Sequence, residues 1–172
     1  TFYFDLSKLA YNDFQSFIPQ LMDKKNIIFD MRDYPTLDWE NFRSIIGHFL
    51  KTEVDPKWMF IPQISRPDGI EKEQYVAERG HKVAPKQPYI KARVFYLIDH
   101  NAQSYAESIT GYFTHLKNIT FVGSPTAGSN GNIVMVSLPG NYYFRYTGMK
   151  VLKHDGSLFH GIGFLPDVEV RP

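Results

Sequence analysis

Val94-Phe95-Tyr96-Leu97-Ile98-Asp99-His100-Asn101-Ala102-Gln103-Ser104-Tyr105-Ala106-Glu107 is the stretch whose reading decides the fold. It opens on an apolar, strand-like run, 94–98. A helix-like run, Tyr105 to Leu116, follows. A serine at such a junction has its hydroxyl at the positive end of a helix, where free N–H groups can hold an oxyanion. That is the geometry acyl transfer by a serine requires. The same residues, Ser104-Tyr105-Ala106-Glu107, are also an S-x-x-E capping box, and capping is the ordinary role of a serine that opens a helix.

Outward from this junction the chain alternates between strand and helix patterns. Phe2 to Leu6 reads as a strand. Asn12 can cap a helix whose apolar face is Phe14, Phe17, Ile18, Leu21 and Met22. Ile27 to Met31 is a continuous apolar strand of the kind a parallel sheet buries on both faces. Trp39, Phe42, Ile45, Ile46 and Phe49 form a second helical stripe, with a cap near Thr36 or Asp38. Trp58 to Ile64 reads as a strand. Residues 65–89 are polar and rich in proline and glycine, with a short helix expected around Ile70 to Glu78; a segment of this length reads as an insertion, a lid or a substrate-binding loop. After the 104–116 helix come strand 119–122, loop 123–131, and a hairpin of Ile133–Leu138 and Tyr142–Tyr146 around Pro139-Gly140-Asn141. A turn at His154-Asp155-Gly156-Ser157 precedes the last strands. The prediction is one α/β domain spanning 1–172, with a mostly parallel central sheet, flanking helices and a C-terminal β-hairpin region.

Composition narrows the function. The chain has 172 residues, 43% of them hydrophobic and 16% aromatic, and is globular in character. A net charge of +1 gives no case for nucleic acid or a charged membrane surface. No apolar run approaches the roughly 18 residues of a membrane helix. Cysteine is absent, which excludes disulfides and thiolate metal sites. No histidine or carboxylate spacing forms a metal-ligand set, so no metal and no organic cofactor is expected. The loop Gly123-Ser124-Pro125-Thr126-Ala127-Gly128-Ser129-Asn130-Gly131 lacks the G-K-[ST] ending and the G-x-G-x-x-G spacing of nucleotide loops.

Four segments, in order, resemble the protease domain of the tail-specific, or C-terminal processing, serine peptidases. Asn26-Ile27-Ile28-Phe29-Asp30-Met31-Arg32-Asp33-Tyr34-Pro35 is similar to that family's strand ending in D-x-R-x-x-P. Ser104-Tyr105-Ala106-Glu107 is similar to its nucleophile motif, 122–131 to its V-G-x-x-T-x-G-x-x-G loop, and Gly161-Ile162-Gly163-Phe164-Leu165-Pro166-Asp167-Val168 to its closing G-I-x-P-D-V. The resemblance runs from about Phe2 to Val170. It implies a Clp-protease/crotonase-like fold, a domain of a longer chain, a cell-envelope or extracytoplasmic setting, and cleavage of peptide bonds in extended or unfolded polypeptides.

The resemblance carries Ser104 as nucleophile. Tyr105, Pro35, Thr36 and Gly128 become oxyanion or substrate-binding positions. Two departures stand out. Ser129 and Asn130 occupy the place where the family's first branch has a lysine as general base, which points to the tricorn-like branch and a histidine. Thr36-Leu37 stand where a Gly-Gly pair usually helps form the oxyanion hole. Of six histidines, His115 lies eleven residues along the same helix, some 16 Å away at about 1.5 Å per residue, too far to take the Ser104 proton. His48, His81 and His100 read as solvated or structural. His160, preceding Gly161-Ile162-Gly163, is the internal residue expected to bear on the site. The alternative is a catalytically inactive peptide-binding domain on the same fold, which needs no base.

Overall fold

A computed structural model describes residues 1–55, 58–63, 74–78 and 81–170. In chain order the elements are β1 (Phe2–Asp5), α1 (Tyr11–Leu21), β2 (Asn26–Asp30), α2 (Trp39–Gly47), β3 (Met59–Gln63), β4 (Gln74–Glu78), β5 (Arg93–Ile98), α3 (Tyr105–Phe113), β6 (Ile119–Gly123), β7 (Ile133–Leu138), β8 (Tyr142–Thr147), β9 (Lys150–Val151) and β10 (Val168–Glu169). The main sheet has the order β1-β2-β5-β6-β10, and every pairing in it is parallel. The chain therefore has the expected α/β class, with a parallel central sheet and flanking helices.

Register explains where the core lies. Phe4, Phe29, Tyr96 and Phe121 are aligned across four strands. All four are buried, and they form an aromatic rung. Helices close over that face: Phe14 of α1 packs on Phe4 at 5.5 Å, and Phe113 of α3 packs on both Phe29 (5.3 Å) and Tyr96 (4.6 Å). Side chains alternate along a strand, so Ile28, Phe95 and Leu97 point to the other face, where they are only half-buried. The 27–31 run is thus not buried equally on both faces, as its composition suggested. The helices converge on the aromatic rung and cover the opposite side less.

Local chemistry sets the helix ends. α2 starts at Asp38, whose carboxylate accepts from the Asn41 N–H at 2.9 Å. α1 is capped at Ala10 without a side-chain bond, and Asn12 lies inside its first turn rather than at the cap. α3 ends at Phe113, three residues short of the predicted Leu116. Beyond it, the His115 and Leu116 N–H groups bond to the carbonyls of Tyr112 and Phe113, a tightened i→i−3 turn.

Two smaller sheets complete the fold. β4, β3 and β9 form an antiparallel sheet, with Ile61 opposite Val76 and Met59 opposite Val151. This corrects the helix expected around Ile70 to Glu78. Its described part, 74–78, is a strand, because the free edge of β3 offers a full ladder of backbone partners that outweighs local helix preference; residues 70–73 lie outside the described residues. β7 and β8 form the predicted hairpin, with Gly140 and Asn141 at positive φ in its loop.

Two expectations follow for stability. Phe113→Ala empties the space between α3 and the aromatic rung, and should cost about 3–5 kcal/mol in urea denaturation, against a near-neutral Tyr143→Ala on the exposed hairpin. His48 is 1% exposed, and its Nδ1–H donates to the Pro88 carbonyl at 2.9 Å. Burial lowers its pKa below the ordinary histidine value. The unfolded chain therefore takes up this proton at higher pH than the folded one. The stability linked to His48 is complete above about pH 6.5 and is lost as pH falls toward the lower folded pKa. The thermal midpoint should drop from pH 7.5 to pH 5, and the drop should be smaller in His48→Asn.

Candidate active site

β5 delivers the chain through the loop 99–103 to Ser104, and α3 begins at the next residue. Ser104 has φ 53° and ψ −114°, a backbone state that side chains disfavour. The sharp turn presents Ser104 to a cleft of about 340 Å³. Its N–H donates to the Ser129 carbonyl at 2.8 Å, and more weakly to Glu107 Oε2 at 3.2 Å. Ser104 and Glu107 stand in the capping-box relation, but the serine hydroxyl makes no cap bond of comparable geometry. The Tyr105 N–H opens the helix beside that hydroxyl and has no intrahelical acceptor.

Glu107 does more than complete a cap. It is fully buried and accepts from four donors. Thr126 Oγ1–H (2.6 Å) and the Gly128 N–H (2.7 Å) reach Oε1; the Ser129 N–H (3.0 Å) and the Ser104 N–H reach Oε2. Burial pushes its pKa up, while these bonds to the charged form pull against it. Thr126 passes the connection on: its Oγ1 accepts from the Phe164 N–H at 2.9 Å, and its own N–H donates to the Phe164 carbonyl. The Gly161 N–H donates to the Gly128 carbonyl at 2.9 Å. Gly128 has φ +64°, and a Cβ there would stand 2.7 Å from the Ile162 and Gly163 nitrogens. Three separate sequence motifs are thereby interlocked around one carboxylate.

The fourth motif is local. Arg32 donates to both oxygens of Asp30, at 2.9 and 2.6 Å, and the Tyr3 hydroxyl adds a bond at 2.7 Å. Burial would raise the Asp30 carboxyl, but these bonds outweigh it and hold it below the usual carboxylate range. The turn after Arg32 lies against α3: the Tyr105 hydroxyl donates to the Leu37 carbonyl at 3.1 Å, and the Tyr34 and Tyr105 rings are 6.3 Å apart. Pro35 has no N–H, and the Thr36 N–H is already given to the Leu6 carbonyl at 3.3 Å.

The other candidates are dispersed. His160 Nε2–H donates to the Asn130 carbonyl at 2.9 Å, next to the Ser129 carbonyl that Ser104 uses. It makes no hydrogen bond to Ser104, whose side chain faces the Glu107 N–H in the capping box. His115 packs on His154 at 4.4 Å beyond the far end of α3. His81 stacks on Trp39 at 5.5 Å and lines the cleft. Sequence reasoning placed Asn130 beside the serine but missed much of the cleft wall: Trp39, Trp58, Tyr112 and Ser108. Trp39 and Tyr112 pack at 4.3 Å, and burial pushes the Tyr112 hydroxyl up to about 12. Asn130 Nδ2–H donates to Ser108 Oγ at 3.1 Å. Ser108 had a legible signal, since it lies four residues after Ser104 on the same helix face. No group of three or more metal-ligating side chains occurs among the described residues.

The family model for peptidase family S41 matches residues 2–170. The chain belongs to that family. Among solved structures, a candidate peptidase from Parabacteroides merdae aligns with a TM-score of 0.75 at 19% identity, over 98% of this chain and 52% of that one. The photosystem II D1 C-terminal processing protease aligns at 0.63 and 16%, over 99% and 42%. The tricorn protease aligns at 0.54 and 14%, over 98% and 15%. At these identities the likeness shows the fold. The S41 domain here spans about half the length of the first of these structures, and less of the others. No curated protein matches the chain.

Within this S41 domain the Glu107 brace gives a direct test. Glu107→Gln turns an NH2 group toward donors that need an acceptor. It should cost about 2 kcal/mol or more in urea denaturation. Ser104→Ala should stay within about 0.5 kcal/mol of the parent. A near-neutral Glu107→Gln would reduce Glu107 to a simple cap.

Proposed function

We propose that this peptidase-family domain cleaves peptide bonds in extended or unfolded polypeptides, with Ser104 as nucleophile. The observation that carries the reading is the φ 53° turn that sets the Ser104 hydroxyl in the cleft, at the N-terminus of α3. The hydroxyl attacks the scissile carbonyl. The Tyr105 N–H supplies one oxyanion donor, aided by the helix dipole. The second comes from the 35–37 turn. Since the Thr36 N–H is committed to Leu6, Leu37 is the better-placed donor, and substrate binding would have to release Thr36 before it could serve. Gly128 keeps the neighbouring loop flat against 161–163, which shapes the cleft beside the serine. Substrate binds as an added strand. His81, from the described part of the 65–89 segment, lines the cleft, which supports a substrate-binding role for that part.

The base is the weakest point of the machinery. A serine hydroxyl is a poor nucleophile without one. His160 is the internal candidate, but it would have to exchange its bond to Asn130 for one to Ser104. We therefore expect the 172-residue domain to turn over slowly by itself, with the remaining base supplied by a longer chain. The second reading, a peptide-binding domain without catalysis, is favoured by the lack of any base hydrogen-bonded to the Ser104 hydroxyl among the described residues.

Applied to the longer protein that carries this domain, a fluorophosphonate probe separates the two readings. Labelling that disappears in Ser104→Ala supports the enzyme; no labelling, even at high probe concentration, supports the binding domain. Hydrolysis of an unfolded protein by the domain and by His160→Ala then tests the base. Turnover should be low and should fall further in the variant, by tenfold or more. Fast turnover that survives His160→Ala would show that the base lies elsewhere.

A further inference from the structure

The side chains of the β7–β8 hairpin are exposed almost throughout, and its two faces differ. Opposed residues of an antiparallel pair share a face. Ile133–Thr147, Met135–Arg145 and Ser137–Tyr143 make one face, which mixes apolar, hydroxyl and charged groups. Val134–Tyr146, Val136–Phe144 and Leu138–Tyr142 make the other. That second face is apolar or aromatic at every position and carries no charge. Its exposures run from 37% at Val134 to 71% at Tyr142. The three aromatic side chains, at about 200 Å² each when fully bared, leave on the order of 350 Å² exposed. With the aliphatic row the face reaches roughly 500 Å², at the upper end of what a soluble monomer leaves open.

The face is also asymmetric across its width. β7 contributes only aliphatic side chains to it (Val134, Val136, Leu138), and β8 only aromatic ones (Tyr146, Phe144, Tyr142). Each copy thus presents a low row beside a high row. A two-fold axis parallel to the strands, midway between two such hairpins, lays each high row on the other's low row. Val136 then packs against Phe144 of the partner subunit, and the reverse contact follows by symmetry. The surface is complementary to itself, as an isologous interface requires. Two stacked ribbons about 10 Å apart would cover roughly 1,000 Å² in total, the lower bound for a specific interface and the size of a weak, reversible one. A face without charge offers nothing to steer or select a charged partner.

We propose that the Val134–Val136–Leu138/Tyr142–Phe144–Tyr146 face is a homodimer interface, formed by face-to-face packing of the hairpins of two copies of this chain. The proposal is independent of which residue serves as nucleophile.

Sedimentation equilibrium over about 1–200 μM tests it. The protein should dimerise reversibly. Val136→Glu and Phe144→Glu should each weaken the dimer at least tenfold, while Met135→Glu, on the opposite face, should not. Urea midpoints equal to the parent's, taken at a concentration where the parent is monomeric, would show that the variants fold. The chain has no cysteine, so single thiols can be placed cleanly. With a short bis-maleimide, whose span suits two facing ribbons better than a disulfide does, a mixture of Val136→Cys and Phe144→Cys proteins should form a crossed dimer far faster than either protein alone. A monomer at all concentrations, including one whose hairpin is protected from hydrogen exchange by another polypeptide, would overturn the proposal. So would a dimer indifferent to both Val136→Glu and Phe144→Glu, or cysteine variants that link equally well alone.

Discussion

The burial of one carboxylate organises this end of the molecule. A charged group removed from water is costly unless it is fully hydrogen-bonded, and Glu107 meets that demand with four donors from two segments. The donors are backbone and hydroxyl groups that would otherwise be difficult to satisfy in a turn beneath a cleft. The helix start, the 126–129 loop and the 161–164 turn are each irregular and could not hold their shape alone. Around Glu107 they become a single unit, whose geometry depends on all of its parts.

Much of the fold was legible because its signals are local or periodic. The parallel strands were evident from the short apolar runs at 27–31 and 94–98, and α2 from its stripe and its Asp38 cap. The hairpin was legible from two β-rich runs around Gly140-Asn141. The misplaced helix at 70–78 shows the limit. Strand β4 exists because β3 lies beside it, and a window of sequence contains no record of what pairs with it. The cap of α1 failed for a related reason: Asn12 is a good cap by type, but the chain enters the helix two residues earlier.

The candidate site divides along the same line. Motifs located Ser104, Gly128 and the 34–37 turn, because each is tied to an unusual backbone state or a fixed spacing. The aromatic wall was invisible. Trp39 and Trp58 read as core residues by pattern, and only the tertiary fold turns them toward the serine. The replacement of Gly-Gly by Thr36-Leu37 was legible as a departure. Its consequence, a Thr36 N–H engaged by Leu6, was not, since it depends on how closely the turn approaches the end of β1.

The backbone of Ser104 has a consequence for how such a domain can change. A side-chain-bearing residue at φ 53° holds strain of order 1–3 kcal/mol, and glycine alone would relieve most of it. The position therefore sets sturdiness against chemistry: exchange for glycine removes the hydroxyl and relaxes the turn in one step. A lineage freed from the need to cleave would drift downhill there, keeping the Glu107 scaffold and the cleft while losing the reactive group.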